Sequence, residues 1–324
     1  MIFDLFSIQE RGVTDMSRQV IINADDFGLS PAINVGIMKA YQAGGITSTS
    51  MMVNMPGFDH AVCSARASPD LGIGLHFNLT YGYPVSNPGS VPSLVRPDGS
   101  FHKGNSALVR DPVDITKELD AQWNRFIETT RYPAHLDSHH LLHQNDPMIY
   151  EIMAEKAIRE NVPLRRSQIV HPIPIGPIPR MTETILLDTY GDNEGLQRLL
   201  HHLVSLPEGI TEIVCHPGYV DDVLRQISEW TDIRERELSV FINAEIPRTM
   251  KALNILPISY TALKELQDEP CEPPALQPLT QPIDKKMPRH VPHRTVKRRR
   301  KIHRLSQKRG TKSRPSTTRT RKRV

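Results

Sequence analysis

Short apolar runs alternate with amphipathic helical stretches along most of this 324-residue chain, and that alternation restricts the fold more than any single motif. The first run, Val20 to Ile22, reads as a buried strand. Ser30-Pro31 then supplies a cap and a proline at the first helical position. Apolar residues recur at Ile33, Val35, Ile37, Met38 and Tyr41 before Gly44-Gly45 stops the helix. "TSTSMMVN" reads as a second strand, His60–Ala67 as a helix and "LGIGLHFNLT" as a third strand. Further on come a helix over Val113–Thr130, a strand over Ala134–Asp137, a helix near Met148–Asn161 and the short strand "VPLRR". A helix near Asn193–Val204, the strand "TEIVCH", helical segments between Ile227 and Leu253, and a closing "ILPISY" then "TALKEL" complete the series. Six or more such units point to a distorted (β/α) barrel of mainly parallel strands, with an open doubly wound sheet as the alternative.

Two segments break the rhythm. Tyr81 to about Asp111 is rich in Pro, Gly and Ser and too long for a plain connector, which is typical of loops that cover a site. "QIVHPIPIGPIPR", residues 168–180, holds four prolines and is extended or looped.

Charge divides the chain further. From Lys285 to Val324 there are 18 Lys or Arg and no acid; 40 less 18 leaves 22 basic residues before it, against all 36 acids, a balance of −14. The overall +4 therefore averages an acidic body and a basic tail. "DEPCEPPALQPLTQPI" and the tail lack the apolar content to offset chain entropy, so a disordered basic C-terminal tail is expected. The resulting division is 1–17 as an unstructured extension, 18–267 as the barrel domain, and 268–324 as a Pro-rich, then Lys/Arg-rich tail; Met16 is a candidate start. Three scattered cysteines, Cys63, Cys215 and Cys271, suit a reducing cytoplasm and give no thiolate zinc site. No apolar run reaches the roughly 18 residues of a membrane span.

Polar residues fall where strands end. Asp25 and Asp26 follow the first strand, His76 ends the third, and His135, Asp137, His139, His140 and His143 crowd "HLDSHHLLH"; His216 closes "IVCHPGY". In a parallel α/β fold such ends share one rim, so residues almost 200 positions apart converge. Each has an ordinary explanation when taken singly: a polar turn for the Asp pair, or a turn at His216-Pro217-Gly218. Together they suit a divalent metal, because carboxylate and imidazole leave open positions for water and substrate. Asp26, His76 and His139 would make a ligand set, with Asp25 as base and His216 as acid of a hydrolytic site, although spacing alone does not say which of the two neighbouring acids takes which task. Asp137 is either a ligand or the group that orients a histidine. Phosphoester hydrolysis fits the same site, although the chain lacks a glycine-rich phosphate loop. The tail could also attract nucleic acid through counterion release, without sequence preference for want of aromatics.

"NADDFGLS", "TSTSMMVN", "GIGLHFNLT", "HLDSHH" and "CHPG", in this order, resemble the YdjC-like carbohydrate deacetylases, which include chitooligosaccharide deacetylases, from about Val20 to Leu266. The resemblance implies a distorted (β/α) barrel that removes acetyl groups from N-acetylglucosamine-containing oligosaccharides with a divalent metal, usually magnesium. It matches Asp25 to the proton acceptor, Asp26 to the metal-binding Asp, and His76 and His139 to the histidine ligands. His216 lies in the matching "CHP" motif, and its role as acid is read from chemistry. Many members carry a third consecutive histidine where this chain has Leu141, and the basic tail and N-terminal extension have no counterpart. Two imidazoles and one carboxylate also suit Zn2+ or another transition metal. Homodimers are common in that family, although no residue pattern here marks a dimer face.

Overall fold

Period-two burial explains how one sheet makes both a core and a polar site. In β1 (Arg18–Phe27) everything from Val20 onward is buried, as in a central parallel strand covered on both faces. Val20, Ile22 and Ala24 belong to the main apolar core, whereas the alternate Ile21, Asn23 and Asp25 face the other way. Along its whole N-terminal part, Arg18 to Ala24, β1 pairs with β6 (Gly209–Cys215). On its other edge it pairs with β2 (Ser48–Met51) near the C-terminal end and with β7 (Leu256–Pro257) at Gln19 and Val20. β3 (Gly72–Phe77), β4 (Leu136–Ser138) and β5 (Thr184–Leu186) extend the sheet, giving the order β4-β3-β2-β1-β6-β5 with every pair parallel.

This computed structural model describes residues 17–104, 109–167 and 178–266; the expectations for the N-terminal extension, most of the proline-rich segment and the basic tail lie outside the described residues. Within them the architecture is an α/β fold, a distorted and incomplete (β/α) barrel. The sheet curls, and beyond its edge strand β4 the pairing thins to isolated backbone links. Leu136 forms a parallel bridge with Leu164, and Leu164 N–H donates to Arg180 O (2.8 Å). "VPLRR" is thus one bridge where a strand was expected, yet it fixes Arg165, whose N–H donates to Leu136 O.

Ten helices among the described residues flank the sheet: α1 (Pro31–Gln42), α2 (Phe58–Arg66), α3 (Pro112–Thr129), α4 (Leu142–Asn145), α5 (Pro147–Arg159), α6 (Gly195–Val204), α7 (Asp222–Ile227), α8 (Asp232–Phe241), α9 (Glu245–Ala252) and α10 (Tyr260–Leu266). Three begin with the same device. Ser30, Asp111 and Asp146 each accept a hydrogen bond from the first turn, and a proline follows directly. None of the described helices is long and apolar enough to cross a membrane.

The barrel's inner face is polar. Asn23, Asp25, Ser48, Ser50, His76, His135, Asp137 and Glu212 are buried, while the outward residues of the same strands carry the apolar core. Gly74 makes room there, since a Cβ on it would lie 2.3 Å from the His135 ring. The expected covering loop is strapped to α3. Glu118 accepts from Val85 and Ser86 N–H (2.8 and 2.9 Å), and Asp114 accepts from the Ser93 N–H and hydroxyl.

One close approach links the scaffold to the site. A Cβ on Gly36 of α1 would lie 2.6 Å from Gly218 Cα, in the loop just after His216. Alanine gains about 1 kcal/mol in intrinsic helix propensity, but backbone overpacking costs roughly 1–3 kcal/mol. Gly36→Ala is therefore expected to destabilise the fold by about 1–2 kcal/mol in chemical denaturation; an unchanged or raised midpoint contradicts this contact.

Candidate functional site

Asp25 and Asp26 are neighbours, and in a regular strand they would point to opposite faces. The sequence placed them after the first strand; they lie inside β1, at its C-terminal end. There the pairing register with β2 shifts between Ala24 and Phe27, and Asp26 takes φ 71°. This left-handed, bulge-like irregularity brings both carboxylates to the same cavity. A non-glycine residue in that conformation costs roughly 1–3 kcal/mol, and such strain is concentrated at functional sites.

The two acids have different partners. Asp26 Oδ2 accepts from Arg234 Nη2 at 2.7 Å, while its Oδ1 lies 3.0 Å from His139 Nδ1 and 3.4 Å from His76 Nε2. Asp25 has both oxygens on Arg165, at 2.8 and 2.6 Å, and Oδ1 also accepts from Asn23 Nδ2 at 2.9 Å. Burial pushes both carboxyls up, but Arg234 and His139 hold Asp26 well below the usual range, and Arg165 and His76 hold Asp25 below it. Both are carboxylates at neutral pH.

His76 stands between them. Its Nδ1 lies 2.7 Å from Asp137 Oδ1, the residue beside it in the sheet register, which fixes the ring and leaves Nε2 towards Asp26. Burial opposes its charge, but Asp137 and Asp25 outweigh it and raise its pKa to about 10. Asp137 thereby has an orienting contact with a histidine. His139 follows β4 in a single 3-10 turn, His139–Leu141, where His140 and Leu141 both have positive φ. Burial lowers the pKa of His139, so its imidazole is neutral and free to donate a lone pair.

Asp26, His76 and His139 each offer one donor atom, all within 4.8 Å of one another. Asp26 Oδ1 is buried without a hydrogen bond of good geometry, a cost that a cation held between it and the two imidazoles would relieve. The residues thus fit a divalent metal. A second grouping of Asp25, His76 and Asp137 has the right spacing too, but Arg165 already lies 2.6 Å from Asp25 and 2.9 Å from Asp137.

His216 follows β6. Its Nε2 is 3.9 Å from Asp25 Oδ2, its ring meets Trp230 edge-on at 5.7 Å, and its N–H donates to Glu237 Oε2. These groups line one cavity of about 780 Å³, with Tyr81 and Trp230 among its lining residues. Of the remaining histidines in "HLDSHHLLH", only His140 lines it. His135 stacks on Tyr260, centroids 3.8 Å apart, and His143 is held by Ser138 Oγ at 2.6 Å. Sequence reasoning assigned no role to Arg165, Arg234, Tyr81 or Trp230, although Tyr81 opens the loop expected to cover a site and "VPLRR" holds Arg165.

Fold and site together define a hydrolase on an incomplete (β/α) barrel. A family described as YdjC-like protein matches residues 19–252, and the chain belongs to that family. A carbohydrate deacetylase of Geobacillus stearothermophilus is 35% identical over 253 residues, covering 78% of this chain and all of that protein. A chitooligosaccharide deacetylase of Salmonella paratyphi B is 36% identical, covering 76% of this chain and 99% of its own length. Among solved structures, a protein of Enterococcus faecalis provisionally described as a cellobiose-phosphate cleavage protein superposes with TM-score 0.68 at 30% identity, over 76% of this chain and 99% of the other.

Beneath the cavity, burial and the Arg165 charge push the pKa of His143 down to about 4 from the usual 6.5. Its stabilising effect is complete above 6.5 and is lost as pH falls towards 4, because the unfolded chain takes the proton first. Between pH 7 and pH 5 wild type should lose on the order of 2 kcal/mol more stability than His143→Gln. Parallel urea curves for the two proteins check this, and equal losses contradict it.

Proposed function

We propose that this protein is a metal-dependent carbohydrate N-deacetylase, releasing acetate from N-acetylated sugars of the N-acetylglucosamine type. The observation that carries the reading is the split pair: Asp26 keeps an open oxygen beside His76 and His139, while Asp25 is clamped on Arg165 facing the same cavity. The deacetylase names of the relatives support the same bond.

Asp26, His76 and His139 would hold the cation. When bound, a divalent metal supplies Lewis acidity, polarising the acetyl carbonyl and making water a better nucleophile near neutral pH. Asp25 is the proton acceptor in this reading. Its Oδ2 lies 3.9 Å from His216 Nε2 and 3.9 Å from His76 Nε2, separations that leave room for an intervening water. Arg165 makes Asp25 a weaker base but holds its oxygens in one orientation, and positioning of this kind raises effective concentration greatly. His216 Nε2, in the same cavity, gives a proton to the departing nitrogen as the C–N bond breaks. Acetate and a free amino sugar result. Tyr81 and Trp230 present apolar ring surface for the faces of a sugar, and the cavity volume suits a small oligosaccharide.

Acetate release from a panel of N-acetylated sugars tests this. Asp25→Asn is expected to cut kcat by about 10²–10⁴-fold while retaining bound metal, and His139→Ala to lower metal affinity. Near wild-type turnover in Asp25→Asn would show that Asp25 is not the base.

A further inference from the structure

Each acid of the pair is matched to an arginine, and the two arginines act differently. Arg165 occupies both oxygens of Asp25. Arg234 occupies one oxygen of Asp26 and leaves Oδ1 to the histidines. The Arg234–Asp26 pair is almost fully enclosed, with side-chain exposures of 4% and 2%, so solvent screens it little. Arg234 is also anchored. Its Nε donates to Trp230 O at 3.1 Å, its carbonyl accepts from Gly218 N–H, and its N–H donates to Thr231 O. Among the described residues Asp26 is the carboxylate within salt-bridge distance of Arg234.

We propose that Arg234 is a positioning residue that sets which cation the site takes and how tightly. This rests on the metal-dependent reading above. With Oδ2 engaged, Asp26 can present only Oδ1, a single-oxygen mode. The guanidinium also offsets the carboxylate charge of the donor set, so once a cation has displaced the proton from His76, Asp26, His76, His139 and Arg234 together sum to zero.

Two consequences follow from that charge balance. Magnesium binds through oxygen and depends on carboxylate charge, and here it meets one shared carboxylate and two imidazoles. Zinc, cobalt and nickel gain from imidazole donors and lose less when the carboxylate is shared. The site therefore favours an imidazole-loving transition metal over magnesium. In addition, a neutral protein donor set leaves more of the cation's positive charge available to a substrate oxygen. Arg234 exchanges affinity for Lewis acidity.

The test is cation binding by metal-stripped protein, followed by titration calorimetry or a competing chromophoric chelator, with Zn2+ and Mg2+ as separate probes. Wild type should bind Zn2+ at least a thousandfold more tightly than Mg2+. Arg234→Gln removes a positive charge next to the site and should bind each cation at least tenfold more tightly, because poorly screened charges at this range interact strongly. Arg234→Lys keeps the charge and should stay within a few-fold of wild type. Zinc-loaded Arg234→Gln should turn over more slowly with little change in KM.

Looser packing from a merely structural role would weaken binding, so the direction of the change discriminates. A folded Arg234→Gln protein that binds both cations no more tightly than wild type overturns the proposal. So does a wild type that binds Mg2+ as well as Zn2+. If Arg234→Gln does not fold, the wild-type Zn2+/Mg2+ ratio and the Arg234→Lys affinity decide. A wild type that binds neither cation overturns the metal-dependent reading itself.

Discussion

A fully buried arginine holds the site together. Arg165 sits on the inner face of the barrel with Asp25 from β1, Asp137 from β4 and Glu212 from β6, at 2.6, 2.9 and 3.0 Å. Burial works against its charge, but Asp137, Asp25 and Glu212 raise its pKa well above the ordinary arginine value. Taking such charges out of water costs several kcal/mol per ion, which is offset here by the close opposite charges and by the hydrogen bonds from Arg165 to Asp25 and Glu212. Tyr260 completes it by donating to Glu212 and stacking on His135. Strands from opposite sides of an incomplete barrel are thereby tied through one guanidinium, near the place where ladder pairing has reduced to a single bridge at Leu164.

The geometry of the cavity follows from that anchor. Asp25 is fixed by the two parallel contacts from Arg165, and Asp137 passes the constraint on to His76 through its Nδ1. His76 then stands with Nε2 near Asp26, the one acid with a free oxygen. Two adjacent carboxylates in one sequence motif so acquire different chemistry. One is saturated by a guanidinium and can act only on a neighbouring proton, while the other is open on one side and can act as a ligand. The backbone irregularity at Asp26 is what lets both reach the same space.

Much of this could be read in the sequence, and the failures have physical causes. Alternating apolar runs and the Ser30-Pro31 cap gave the parallel α/β architecture, because these are local signals; Asp111-Pro112 and Asp146-Pro147 are signals of the same kind that only the structure brought out. His76, His139 and His216 could be placed because their strands end where the polar residue falls. The inner face was harder. "GIGLHF" hides an alternation in which Gly74 and His76 face the lumen, and nothing local says that the lumen is polar. Arg165 and Arg234 look like any surface arginine, since their partners lie 140 and 208 residues away in the chain. His135 and His143 look like ligands by type but serve packing below the site. β5 and β4, three residues each, are too short for periodicity to mark their ends.

The central claim is that Asp26, and not its neighbour, shares a cation with His76 and His139. Anomalous diffraction from crystals of the metal-loaded protein, measured on either side of the metal's absorption edge, addresses it directly. The account predicts one strong peak bounded by Asp26, His76 and His139, with Asp25 still paired to Arg165. A peak between Asp25 and Asp137, or none near these residues in crystals loaded with a transition metal, would contradict it.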